Sequence, residues 1–447
     1  MLLLVCAALL HACLLIYDLS HPEVFLNADR AITRMRMIED LVRLMREGAS
    51  LEKFFGSHGI VGDYLPQAML FMLGGRPAII AGQILLFLIS LAALFSLTFH
   101  LTNSRNCAGL CALVYLLLPH SLVFPHVLCS EAIFDPLVVI SFYFTCLVLV
   151  KDRGHAAAGS AGLALGIATL VRPITALWPL AVGFAMHLAR RSRRTLAIFL
   201  ILSFLPLLVW TSIMQHLSGA FSLGSSDHDA ASNMYQRAER ITHTLPEPEQ
   251  AKAEERYLRA EGGKGSLRLS DFLRFAADYP AAYMSHLAKD GIAFIAKSGV
   301  EKLVLDYLHV DPIVRWRLQN QETGVRKQLE REGVLRTIQG KFLEYPKVML
   351  ASALGALAWM CLVCLAAVGV WRGIVDRGLR LNERITLGLI ALFPPYVFLT
   401  SQIVTAMQSR HRAPAEFAIC LLAVIGLRHL KGWLNRVHGA RHCEATG

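Results

Sequence analysis

Residues 347–371 read KVMLASALGALAWMCLVCLAAVGVW, with no charged side chain after Lys347. A run of this length is about what an α-helix needs to cross the hydrocarbon core of a bilayer. Cys361 and Cys364 fall at C-x-x-C spacing inside it, but an uninterrupted apolar helix is a poor setting for redox or metal chemistry. Outward from this stretch, similar runs recur at 1–17, 77–99, 106–124, 132–150, 156–171, 173–189, 195–217, 385–407 and 413–430. The first is read as a retained helix, because Leu10-His11-Ala12-Cys13 has no basic residue before it and makes a poor lipoprotein cleavage site.

Composition agrees. The chain has 447 residues, 55% hydrophobic and only 17% charged, with a mean hydropathy of +0.48. The expected fold is an all-α polytopic membrane protein with about ten transmembrane helices. Three regions follow: a transmembrane core at 1–217, a helical extracytoplasmic loop at 218–346, and a C-terminal group of helices with a cytoplasmic tail at 347–447. The net charge of +11 is spread over the loops between spans, where topology explains it without a nucleic-acid partner. The cluster Arg190, Arg191, Arg193 and Arg194 places its loop in the cytoplasm by the positive-inside rule. Both long polar regions, 18–76 and 218–346, then face away from the cytoplasm.

Within 18–76, Ile32, Met35, Ile38, Leu41, Val42 and Met45 recur every three or four residues, opposite Arg34, Arg36, Glu39, Asp40, Arg43 and Arg46. This periodicity predicts an interfacial helix, capped by Asn27 and stopped at Gly48. Asp29 would lie in its first turn. The segment 64–75, YLPQAMLFMLGG, is too short to span and predicts a second interfacial helix beginning at Tyr64. In the long loop, EQAKAEERYLRAEGG reads as a helix stopped by glycine, and the stretch from Asp271 to Leu308 as two or three more. Ser225-Ser226-Asp227-His228-Asp229 reads as a polar turn rather than a metal cluster.

Isolated charges on the outer side of short loops oppose the topology rule and call for a reason. Arg172 stands between two spans, and Arg410, His411 and Arg412 precede the last helix. Glu131 begins another, with Asp135-Pro136 one turn deeper. Two carboxylates, Asp29 and Glu131, thus share a rim with three guanidinium groups. The planar guanidinium fork never loses its charge and binds two phosphate oxygens at once.

The order of these motifs resembles the GT-C superfamily of membrane glycosyltransferases, in particular the branch of lipid A aminoarabinose transferases and protein O-mannosyltransferases. It runs from Asp29 after the first span, through Asp63-Tyr64-Leu65-Pro66 and Ser130-Glu131, to Leu170-Val171-Arg172-Pro173 and Arg410-His411-Arg412-Ala413-Pro414. The likeness is best over residues 1–190, weaker over 408–447, and limited to general architecture over 218–346. Two departures stand out: Asp29 is followed by Arg30 rather than a second acid, and the usual aromatic residue a few positions on is absent.

The resemblance implies inverting transfer of a sugar from a polyprenyl-phosphate donor to a hydroxyl of a lipid, glycan or protein acceptor. The reaction would occur on the extracytoplasmic side of a bacterial inner membrane, among membrane lipids. Asp29 would act as general base, with Asp18 the alternative, and Glu131 as a catalytic positioner. Arg172, Arg410 and Arg412 would hold the donor phosphate, with Asp18, Tyr64 and His411 as further substrate contacts. No cofactor is expected, and a divalent metal between Asp29 and Glu131 stays open. A polysaccharide polymerase or ligase, or a flippase or transporter of lipid-linked glycans, is the rival reading. A transporter would more naturally carry internal repeats, and none is evident.

Overall fold

The computed structural model describes residues 2–21, 31–48, 54, 62, 64–218, 225–258, 266–296, 299–300, 346–375, 378–404 and 412–445. Among them there is no strand. The protein is an all-helical, multi-pass membrane protein. Among the described residues, seven helices are long and apolar enough to cross a bilayer: α1 (Leu2–Ser20), α3 (Tyr64–Thr102), α6 (Glu131–Lys151), α9 (Arg193–Ser218), α14 (Pro346–Val375), α15 (Leu381–Val404) and α16 (Ala413–Ala445). An eighth element is the bent pair α4 (Arg105–Leu116) and α5 with its terminal 3₁₀ turn (Pro119–His126). Two shorter apolar helices, α7 (His155–Val171) and α8 (Trp178–Leu188), account for the remaining two runs read from the sequence.

The run 106–124 is not the single straight span expected. It bends by 68° after Leu116. Pro119 lacks an amide hydrogen and crowds the residue before it, so Leu118 adopts an extended conformation (φ −66°, ψ 142°) and a new short helix starts. The break between 64–75 and 77–99 is found as expected. α3 loses helical geometry at Gly74 and at Gly75, whose φ of 67° is ready for glycine and strained for other residues.

The amphipathic helix α2 spans Ala31–Glu47, and Gly48 follows at φ 61°. Its expected cap at Asn27 lies outside the described residues. The apolar stripe does not rest on lipid alone: Met35, Ile38, Leu41 and Val42 are buried against Ala68, Ile79, Ile80 and Ile84 of α3. Ile32 was expected in the stripe but is 55% exposed. The helix is therefore held mainly by protein packing, at about 1.5–3 kcal/mol for each fully buried Ile or Leu.

Two contacts organise the spans. α7 approaches α9 through Gly162-x-x-x-Gly166, where an added Cβ would come within 2.4 Å of Phe199 O and 2.6 Å of Ser203 O. Small residues at this spacing let membrane helices touch backbone to backbone. An aromatic group of Phe142, Trp178, Phe393 and Phe417 then ties α6, α8, α15 and α16 together, with ring centroids 4.9 to 5.0 Å apart for its edge-to-face pairs. Cys361 and Cys364 are free and exposed on the α14 surface.

Outside the spans lie α10 (Ser225–Thr242), α11 (Glu247–Ala253) running into a π turn at Glu254–Leu258, α12 (Leu269–Asp278) and α13 (Pro280–Ala296). Residues 225–229, expected as a turn, form the start of α10. Met234, Ile241, Tyr257, Phe272 and Phe275 form a separate apolar cluster among these helices. The buried Arg237 pairs with Asp290 at 3.2 Å. At the far end of α13, Ile295 O accepts from Trp359 Nε1 of α14 at 2.6 Å.

Candidate functional site

Pro173 decides the position of Arg172. A residue before proline avoids the helical region, so α7 ends at Val171 and Arg172 turns extended at φ −147° and ψ 118°. Its Nη1 then donates to Glu131 Oε1 at 2.8 Å, while the guanidinium lies 5.8 Å from the Phe134 ring centroid. Glu131 opens α6, where an acid suits the helix N-terminus, and its other oxygen accepts from Ser130 Oγ at 3.2 Å. Tyr396 of α15 donates to Ile174 O at 2.8 Å, fixing the turn that follows Arg172. Two of the expected residues are thus brought together as an ion pair with little solvent contact.

Arg412 sits immediately before α16 and is fully buried. Its Nε and Nη2 donate to Glu416 Oε1 at 3.3 and 3.2 Å, and Nη1 donates to Phe294 O at 2.7 Å. The guanidinium also stacks 3.9 Å from the Trp359 ring centroid. Glu416 accepts a further bond at 2.8 Å from His120 Nδ1 on α5. Arg412 therefore knits the outer helices to α14 and α16, and reaches the rest of the rim through Glu416.

Glu131, Asp135, His120 and Glu416 line one narrow pocket, floored by Phe87 and Tyr115, with room for about one water molecule. Asp135 and His120 are missing from the residues expected of the site. The bend at Pro119 carries His120 there, and the sequence signal was PHSLVFPH, two histidines beside prolines in an apolar run. The second, His126, donates from Nδ1 to Asp18 Oδ2 at 2.5 Å, and its Nε2 meets His11 Nδ1 at 2.8 Å. Asp18 is consequently buried at the end of α1 and bound to histidine. Tyr64 opens α3, with the Arg34 guanidinium 5.6 Å from its ring centroid.

Asp29, Arg410 and His411 lie outside the described residues. Among the described residues, no group of three His, Cys, Asp or Glu side chains is placed to hold a metal ion.

A solved structure resembles this chain. It is the crystal structure of ArnT from Cupriavidus metallidurans bound to undecaprenyl phosphate, with a TM-score of 0.36 and 13% identity over 94% of this chain and 76% of that one. No protein-family model matches the chain. No curated protein matches it either.

Proposed function

We propose that the protein is a GT-C type glycosyltransferase that moves a sugar from a polyprenyl-phosphate donor to a hydroxyl acceptor, with inversion, on the extracytoplasmic side of a bacterial inner membrane. The observation that carries this reading is the Glu131–Arg172 pair at the edge of a pocket holding two more carboxylates, Asp135 and Glu416. A lone arginine at this depth would reach for lipid headgroups. One aligned on a glutamate, with its fork close to a polar pocket, suits recognition of a charged headgroup beside a sugar.

In this mechanism Asp29 takes the proton of the attacking hydroxyl, with Asp18 the alternative, because nucleophilic attack at neutral pH needs a positioned base. Asp18 already holds His126, which favours Asp29 for the role. Negative charge develops on the departing phosphate and is met by guanidinium groups. Arg172 and Arg410 supply hydrogen bonds to it. Arg412, whose donors are engaged by Glu416 and Phe294, contributes its charge from behind. Glu131 positions the sugar, and Tyr64 and His411 contact the substrate. The region 218–346 forms an outer subdomain over this rim, between the transmembrane core of 1–217 and the helices of 347–447. The acceptor is a lipid, glycan or protein hydroxyl.

The test is transfer itself. Membranes containing the protein are incubated with undecaprenyl-phosphate sugars carrying a radiolabel in the sugar, and the product is separated from the donor. Label moving to an acceptor only with the intact protein supports the reading. Label that crosses the bilayer while still bound to prenyl phosphate favours a flippase.

A further inference from the structure

We propose that the pocket between Asp135 and His120 is a subsite for a single hydroxyl group on the sugar of the lipid-phosphate donor. This rests on the sugar-transfer reading and names what the pocket recognises within it.

The chemistry of the pocket is set by two buried atoms. Asp135 Oδ1 and His120 Nε2 are both shielded from solvent, and neither has a hydrogen-bond partner among the described residues. Buried polar atoms are seldom left unpaired, since desolvation is then uncompensated. The two side chains line the same cavity. Glu416 Oε1 accepts from Arg412 as well as meeting His120 Nδ1. Glu416 is therefore the acceptor and His120 Nδ1 the donor, which leaves Nε2 as the ring atom still to be paired.

The pocket thus offers two unpaired polar atoms, one from a carboxyl group and one from an imidazole, in a space for about one water molecule. What fits is small and can both donate and accept a hydrogen bond. A phosphate group is too large. A hydroxyl fits. Gly299 lies against the imidazole: a Cβ there would come within 2.6 Å of His120 Cε1, so only bare backbone comes this close. Glu131, on the same cavity wall, pairs with Arg172. A hydroxyl seated here would hang from a sugar whose phosphate lies near that arginine.

A bare lipid phosphate and a sugar-bearing one separate the two halves of the argument. The full-length protein in nanodiscs is titrated with undecaprenyl phosphate and with undecaprenyl phosphate carrying glucose, mannose or arabinose. At least one sugar-bearing lipid is expected to bind about tenfold more tightly than the bare lipid, the scale of one well-formed hydrogen bond. Asp135→Leu and His120→Asn are expected to abolish that difference and leave the bare-lipid affinity within about twofold. His120→Asn keeps a donor for Glu416 and lacks only the Nε2 position, so it tests that atom rather than the fold. Asp135→Asn retains one acceptor oxygen and keeps part of the difference.

Variants that preserve the full sugar preference overturn the subsite. Variants that lose both affinities alike also overturn it, by assigning the residues a structural role. If no sugar tightens binding to the intact protein, the pocket holds water alone and the proposal fails while the phosphate site stands. Absence of bare-lipid binding in the intact protein instead defeats the proposed function, and the subsite with it.

Discussion

Arg172 and Arg412 carry the same charge in the same rim, yet their surroundings give them different work. Arg172 spends one donor on Glu131, which lines the pocket. Arg172→Ala is expected to weaken donor binding by about 1.5–3 kcal/mol, with lysine restoring only part because it lacks the fork. Isothermal titration with a prenyl-phosphate ligand reads this. Arg412 is fully buried and its donors serve Glu416 and Phe294. Removing it leaves Glu416 buried with His120 as its remaining described partner, so Arg412→Ala is expected to cost about 3–5 kcal/mol of stability. Thermal unfolding in detergent should show that loss before any binding assay does. For Asp29, asparagine keeps the shape but cannot take a proton. Turnover in Asp29→Asn should fall by about 10²–10⁴-fold with donor binding intact. Near-normal turnover would transfer the role to Asp18.

Among the elements, α7 is the one whose packing most directly sets the site, because Arg172 is its C-terminal cap. Gly162→Val would place side-chain atoms where Phe199 O already lies 2.4 Å from an added Cβ. α7 must then move off α9, at about 1–3 kcal/mol for overpacking. The expected result is lower thermal stability together with weaker donor binding, since Arg172 moves with the helix. An unchanged melting temperature would mean the seam is looser than drawn. In the outer helices, Tyr257 donates to Asp278 Oδ2 at 2.5 Å. Burial, and then that bond, push its hydroxyl up to about 12 from an ordinary 10.0. A group whose folded value is raised stabilises the fold below its unfolded value and loses that contribution as pH rises through the folded one. The cluster around Phe272 and Phe275 should therefore loosen between about pH 10 and 12. Tyrosinate absorbance of the protein against Tyr257→Phe checks this, and a midpoint near 10 would contradict it.

At the scale of the whole molecule, seven helices among the described residues are long and apolar enough to cross a bilayer, eight with the bent pair, and two shorter apolar helices pack beside them. If those two also cross, as the sequence reading expects, ten crossings would put both chain ends on the cytoplasmic side. Single cysteines near Arg190 should label only from the cytoplasm, and those near His243 only from outside. Labelling near His243 from the cytoplasm would remove the outer rim as a site for extracytoplasmic transfer. The length and hydropathy of these helices carry the multi-pass fold directly.

Hydropathy and proline were enough to determine much of this from sequence. Long uncharged runs must become helices in a bilayer because backbone groups there have no water to bind. Gly74-Gly75 and Arg172-Pro173 announced their breaks through backbone sterics alone. The pairing of Glu131 with Arg172 was legible only as a shared side of the membrane. Its 2.8 Å contact needed α6 and α7 to pack. Nothing local distinguished Arg412 as a buried strut, since its partners Phe294 and Trp359 lie far away in the chain. His120 and Asp135 came to line one pocket for the same reason, through a 68° bend and a helix packed beside it. Residue type and spacing fix what a segment can become, because those forces act within a few residues. Which charges neutralise each other is decided by tertiary packing, because electrostatic partners are chosen by distance in space.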